Sequence, residues 1–348
     1  MEIINDAEIA RVFFNRLPIN ILNNNFFHSP PYFSLLQNSS NPHPLIISFN
    51  PSGEFTYILC CNYFPSNPIT KKLTSRSIIT GGPLGTQDHA INPSHVDVIL
   101  NQIVKHLSSS TIYVEFRNLF DLSLLYPVFR KYKFKFKNHY NYQIRIKDNQ
   151  SNWNNLSQSR RRQINKSLQS GTEIIQYPSL SEIKEFYHIL KRLYRLKVKK
   201  PIPSWKFFLK FYEESKKGNH GKYFLVKFKN KIVAGILCPI HEKKTIYEWY
   251  IAGLDKEYKK ESIYPSVMAT WAGIKYAIDN EIETFDFMGA GDPNKVYGVR
   301  EFKSKFGGEL VNYGRYIRIN KPVLYFVGKI GLWVYGWVFY VLYKLFKI

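Results

Sequence analysis

Cysteine is scarce in this chain: Cys60, Cys61 and Cys238 are the three in 348 residues. Adjacent cysteines rarely bridge each other, and three make no framework. A disulfide-stapled scaffold is therefore excluded, and a reducing compartment is expected. The nine histidines are scattered and no C-x-x-C pair is present, so no metal is expected. The opening, Met1-Glu2-Ile3-Ile4-Asn5-Asp6, lacks the basic start and apolar run of a signal peptide, which points to the cytosol. Acid is the other shortage. Only 26 Asp and Glu face 49 Lys and Arg, for a formal charge of +23.

That excess is concentrated. Residues 128–210 hold twenty Lys and Arg against four acids. Such a field attracts polyanions: RNA, anionic lipid headgroups or phosphate-bearing substrates. Apolar residues make up 45% and aromatics 16%, which marks a folded chain, and the length suffices for two domains with separate cores.

Two halves share one layout. In the first, Pro44–Asn50 and Glu54–Cys61 read as strands joined by the turn Pro51-Ser52-Gly53. A strand at Ser75–Thr80, the loop Gly81-Gly82-Pro83-Leu84-Gly85 and a helix from Pro93 follow, with Val96, Ile99, Ile103 and Leu107 on one face. Then come a strand at Thr111–Phe116, a short helix at Ser123–Lys131 and a basic strand at Asn141–Lys147. The second half opens with helices at Asn155–Ser170, Leu180–Leu196 and Ser204–Lys217, then a meander at Lys222–Lys229, Ile232–Ile240 and Thr245–Ala252. A helix with Pro265 in its first turn precedes strand Thr284–Met288, helix Val296–Phe306 and strand Glu309–Ile319. The order implies an α/β (α+β) protein with mixed sheets, and its layout resembles two tandem GNAT-like domains, at residues 1–150 and 151–320. Residues 321–348 form a hydrophobic C-terminal helix. Apolar and aromatic from Val323 to Tyr343 but for Lys329, it fits an interfacial membrane anchor, packing against the protein, or a span.

One region carries the chemistry. Phe285-Asp286-Phe287-Met288-Gly289-Ala290-Gly291 reads as a buried strand running into a glycine turn. Tyr297-Gly298-Val299-Arg300-Glu301-Phe302-Lys303 then reads as a short helix ending at Gly307-Gly308. Where a reaction builds a negative oxygen, a positioned cation stabilises it by a few kcal/mol. Lys303 suits that task, although a solvated helix lysine is the default for its type. Asp286 suits an amine-orienting group or base, or else a cap of the following turn. Glu248 and Tyr250, at i, i+2 on the third meander strand, are expected to share one face and line an acceptor site, or to join the core with Tyr247 and Trp249.

These residues also resemble a family. Trp153-Asn154-Asn155-Leu156-Ser157 followed by Arg160-Arg161-Arg162-Gln163-Ile164-Asn165-Lys166, together with Gly81-Gly82-Pro83-Leu84 and the Asp286–Gly291 and Tyr297–Lys303 blocks, is similar to the Fem-type (FemAB) proteins. These are aminoacyltransferases that build peptidoglycan interpeptide bridges, with GNAT-like relatives. The resemblance implies two GNAT-like domains around a cleft and acyl transfer to an amine, from aminoacyl-tRNA onto a lipid- or nucleotide-linked glycan precursor. Phe302 and Lys303 match the family's Phe-Lys pair at the reaction centre. Tyr297, Arg300, Gly289 and Gly291 fall among the substrate-binding positions. Where classical members carry a long helical-hairpin arm, Leu180–Lys217 offers two ordinary helices separated by Pro201 and Pro203.

The donor stays open between aminoacyl-tRNA and acyl-CoA, with no tightly bound cofactor. A CoA-binding GNAT loop carries glycines ahead of its central helix, so that backbone N–H groups hold the pyrophosphate; the matching Asp255–Ser262 has none. Arg160 and Arg162, and a stripe of Arg192, Arg195 and Lys199 at i, i+3, i+7, are the candidate polyanion contacts, for tRNA, a pyrophosphate head or the anionic inner membrane surface; DNA is not expected. The reading is a cytoplasmic enzyme peripheral to the inner face of the plasma membrane that forms an amide on an envelope precursor. Two alternatives stand beside it: an acyl-CoA-dependent N-acyltransferase of amino sugars for polysaccharide, and a non-catalytic basic protein binding membrane or RNA.

Overall fold

The computed structural model describes residues 1–18, 21, 24–39, 41–86 and 91–346, with side chains in the last helix described to residue 334 and at 337. In chain order the first elements are β1 (Glu2–Ile4), α1 (Ala7–Arg16), α2 (Pro30–Gln37), β2 (His43–Phe49), β3 (Thr56–Tyr63), α3 (Pro68–Thr74), β4 (Arg76–Thr80) and β5 (Leu84–Gly85). Next come α4 (Pro93–Leu107), β6 (Tyr113–Arg117), α5 (Tyr126–Lys131), β7 (Lys135–Lys137), β8 (Tyr140–Arg145), α6 (Asn149–Asn155), α7 (Gln158–Gln169) and β9 (Glu173–Ile175). Then follow α8 (Leu180–Leu193), α9 (Trp205–Lys217), β10 (Gly221–Phe228), β11 (Lys231–His241), β12 (Thr245–Tyr247), β13 (Tyr250–Gly253) and α10 (Pro265–Asp279). The chain closes with β14 (Thr284–Gly291), α11 (Gly298–Ser304), β15 (Glu309–Val311), β16 (Arg315–Ile319) and α12 (Pro322–Phe346).

Two compact units result, each around its own mixed sheet. Unit 1 comprises residues 1–139 and 313–334, with strand order β1-β2-β3-β4-β6-β16-β7 and β5 beside β3. Its sequence logic is direct. Asn92 caps α4 through its side chain, Pro93 fills the first turn, and Val96, Ile99, Ile103 and Leu107 are all buried. Each such side chain contributes about 1.5–3 kcal/mol relative to exposure. They pack on Ile47, Ile58, Ile79, Val114 and Phe116 from the sheet.

Unit 2 holds residues 140–312 and the end of the last helix from Tyr335, with strand order β15-β8-β14-β12-β11-β10-β9 and β13 beside β11. Helix α10 runs through its core and is buried nearly all round. Gly273 lies so close to the sheet that a Cβ there would stand 2.8 Å from Ile236 and 2.9 Å from Phe285. A Ser179–Glu182 capping box starts α8.

Two segments differ from the sequence expectation. Strand β8, expected in the first domain, pairs with β14 and β15 of the second sheet. The single strand expected over Glu309–Ile319 is two: β15 joins the second sheet, and β16 returns to the first between β6 and β7. Gly314, at φ +65°, breaks the extended run between them. Among the described residues no helix is long and apolar enough to cross a membrane. Residues 347 and 348 of the expected hydrophobic helix lie outside the described residues.

Candidate active site

The site residues of unit 2 gather where β14 leaves its ladder. Phe285 and Phe287 fill the core, and Asp286 between them is also buried because both faces of the sheet are covered. Pairing with β8 is regular to Asp286↔Gln143, then shifts to Gly289↔Asn141 and Gly291↔Tyr140, an extra residue on β14 at each step. This is a β-bulge. Met288 sits there at φ +58°, and its N–H folds back to the Asp286 carboxylate.

Carbonyls released from the ladder are gathered by two cations of α11. Lys303 Nζ donates to the carbonyl oxygens of Phe287 and Gly289, both at 2.7 Å. Arg300 donates to Ala290 O (3.1 Å) and Asp292 O (2.5 Å), and its guanidinium lies 4.9 Å from the Tyr140 ring centroid. Positions 300 and 303 share a face of the helix, so one short helix binds four carbonyls between Phe287 and Asp292. Gly291, at φ +85°, leaves room for the exposed Tyr297 ring, which a Cβ there would meet at 2.7 Å.

A fork lies beside the bulge. β14 runs parallel to β12, and Glu248 N–H extends that ladder by one bond to Asp286 O at 2.8 Å. Trp249 N–H turns instead to Leu237 O, and β13 pairs with β11 alone. Glu248 is buried at the fork and accepts from the Thr270 hydroxyl of α10 at 2.7 Å; Asp286 accepts from the Gln143 amide at 2.9 Å. Burial pushes both carboxyl pKa values up, against the opposing charge of Lys303. Burial likewise pushes the Lys303 ammonium down, with Glu248 and Asp286 opposing. One buried ammonium thus sits in the field of two buried carboxyls, and burial opposes the charged form of all three.

The other sequence-derived positions separate. Glu248 and Tyr250 do not share a face, because the strand is broken at Trp249. Glu248 meets α10, while Tyr250 joins Phe207, Phe208 and Tyr194 on the α8–α9 side. Arg160 is no surface polyanion contact. It is 5% exposed, its guanidinium stacked 4.4 Å from the centroid of half-buried Phe302 and 4.7 Å from that of Phe306, donating to Phe302 O at 2.9 Å. Burial lowers its pKa to about 10. Arg162 is exposed. The 192–195–199 stripe does not form, since the helix widens to a π turn over Tyr194–Val198 and Lys199 is left-handed at φ +54°. Arg192 pairs with Glu257.

Local sequence patterns did not single out Gln143 or Thr270, since each reaches the site from a distant element. The Asp255 carboxylate, within the loop expected to hold pyrophosphate in CoA users, accepts from Ser266 N–H (3.0 Å) and Ser266 Oγ (2.5 Å) at the start of α10. An acidic side chain already occupies that helix N-terminus. Among the described residues no group of three or more His, Cys, Asp or Glu is placed to hold a metal ion.

Residues 156–304, which include the bulge, the fork and all of α11, match the acetyltransferase (GNAT) domain family. That stretch is a GNAT domain, set in a chain whose fold is similar to a Fem-type structure. Its structure is similar to that of FemX at a TM-score of 0.65 and 14% identity, over 94% of this chain and 100% of FemX. It is also similar to L-PGS from Bacillus licheniformis at a TM-score of 0.56 and 14% identity, over 93% of this chain and 96% of that one. No curated protein matches the sequence. At this identity the likeness is one of fold.

Proposed function

We propose that unit 2 transfers an aminoacyl group from aminoacyl-tRNA to an amino group of a lipid- or nucleotide-linked envelope precursor, forming an amide. The observation that carries this reading is the buried Lys303–Asp286–Glu248 group at the forked, bulged strand of a GNAT domain. The acceptor nitrogen attacks the ester carbonyl, a C–N bond forms, and charge builds on the carbonyl oxygen. Two of the three Lys303 donors are held by Phe287 and Gly289; the third and the positive charge serve the oxyanion. Asp286, its pKa raised toward working pH, takes the proton from nitrogen. The C–O bond then breaks and the proton passes to the leaving ribose oxygen.

Asp255 favours this donor over CoA, because its carboxylate fills the helix terminus that a pyrophosphate would need. An acyl-CoA-dependent reaction on an amino sugar remains the second reading, favoured by the acetyltransferase description of the matched domain. Such precursors are made at the inner face of the plasma membrane, and we place the enzyme there. Incubation of the purified chain with labelled aminoacyl-tRNA or labelled acetyl-CoA and an amine-bearing precursor tests both. Label is expected in an amide from the tRNA arm; label from acetyl-CoA alone overturns the donor, and label from neither overturns the transfer.

A further inference from the structure

The first half of α12 has two unlike sides. Gly328 sits against unit 1, where a Cβ would stand 2.5 Å from Leu73 O, and Tyr325 packs edge-on against Tyr113 at 5.5 Å. Along the outward side run Val323, Phe326, Val327, Ile330, Trp333 and Val334, all exposed; past Gly328 the opposite side is exposed as well, at Leu332. At 100° per residue these positions form one stripe about 120° wide with no polar member. A continuous apolar stripe of this length is costly in water and marks a contact surface.

A groove of about 770 Å³ opens beside the first turn of this helix. Leu324 lines it, together with Lys71 and Lys72 of α3, Lys321, Ser109 and Ser110, and none of its lining residues is acidic. Lys321 Nζ is held by Ser109 O at 2.5 Å. Lys71 and Lys72 are exposed and form no salt bridge among the described residues.

We propose that this face of unit 1 docks on an anionic phospholipid bilayer, with the α12 stripe entering the interface and the groove receiving a lipid phosphate headgroup. Charge complementarity decides the occupant. A second copy meeting the stripe would bring another basic groove toward this one, whereas a bilayer supplies phosphate beside acyl chains. Trp333, at the stripe's far end, suits the headgroup level. The inference is independent of the transfer chemistry in unit 2.

Sedimentation of the full chain with vesicles tests it, using phosphatidylcholine alone or mixed with phosphatidylglycerol. Binding is expected on the mixed vesicles and falls at high salt. Lys71→Glu with Lys72→Glu should weaken it by roughly tenfold or more, at about 1 kcal/mol for each basic residue near the surface. Phe326→Ser with Trp333→Ser should abolish it. Both double variants should keep the wild-type circular dichroism spectrum and unchanged aminoacyl transfer to a soluble acceptor. Equal binding by the lysine variant overturns the headgroup groove. A wild-type chain that ignores vesicles, but is dimeric in ultracentrifugation and becomes monomeric on Phe326→Ser, assigns the stripe to a second copy and overturns the docking. Lysine-dependent binding of inorganic phosphate without vesicle binding overturns it in favour of a soluble phosphate ligand.

Discussion

Lys303 Nζ lies 2.7 Å from the carbonyl oxygen of Gly289, fourteen residues earlier in the chain, and so ties α11 to the bulge of β14. Lys303→Met keeps the length of the side chain and removes every donor. It strands two buried carbonyls and leaves Glu248 and Asp286 without their cation. We expect kcat to fall about 10²–10³-fold, with a stability loss of about 2–4 kcal/mol. Urea unfolding and single-turnover transfer assays separate the two effects. A variant destabilised but with wild-type kcat under native conditions would reduce Lys303 to a brace.

Asp286 gives a pH test. Burial raises its pKa above the usual carboxylate range, and the proposed base works when deprotonated. Activity should therefore rise with pH along an acid limb displaced upward from an ordinary Asp. Asp286→Asn should remove that limb and lower kcat/KM at every pH. A retained limb in Asp286→Asn, measured alongside Glu248→Gln, would move the base to Glu248.

Much of the architecture was legible because it is local. The hairpin around Pro51-Ser52-Gly53, the hairpin of β10 and β11 and the central helix opening at Pro265 all follow from turn chemistry and periodicity, whereas the expected third meander strand over Thr245–Ala252 is two, β12 and β13. Strand alternation reports which residues are half-buried, but not which sheet receives them. For that reason the sequence places β8 in the first domain and β16 in the second while each pairs in the other sheet, and Gly314 marks where the expected single strand divides. Arg160, Arg161 and Arg162 look alike in sequence, yet only Arg160 meets the Phe302 and Phe306 rings and is buried. The carboxyl–ammonium group drew on Asp286, Glu248 and Lys303, each visible as a candidate, while Gln143 and Thr270 became visible only through pairing across the sheet.

Gly82 in the Gly-Gly-Pro loop packs on His28, where an added Cβ would meet Nε2 at 2.3 Å; Asn25 donates to the Gly81 carbonyl at 2.7 Å. The ring is buried, and burial lowers its pKa to about 3, with a Thr80 backbone contact opposing. Gly82→Ala should cost about 1–3 kcal/mol through overpacking. Gly53→Ala meets no neighbour within 4 Å but sits at φ +91°, and should cost about 1 kcal/mol through backbone conformation alone. Scanning calorimetry of the two variants checks the order; equal shifts would remove the packing role of the loop.

Arg117 and Arg315 stand directly opposite each other on β6 and β16, a like-charge pair that would repel without Glu115. Glu115 accepts from Arg117 Nε at 3.1 Å and from Arg315 Nη1 at 2.9 Å. Burial would raise its pKa, but the two guanidiniums override it and hold the carboxyl at about 2. The folded value lies below the ordinary 4.5, so the stabilisation is present above that pH and is lost as pH falls toward 2. Glu115→Gln removes it at all pH values and leaves both arginines uncompensated. With Arg117 partly exposed, a loss of about 2–3 kcal/mol is expected at neutral pH. Urea midpoints from pH 7 to pH 3 should fall in the wild type with a component absent from the variant, and added salt should recover part of the variant's loss. Parallel pH curves would show that the strand pair is held by its ladder and by Tyr316 in the core, with the carboxylate contributing nothing to the balance.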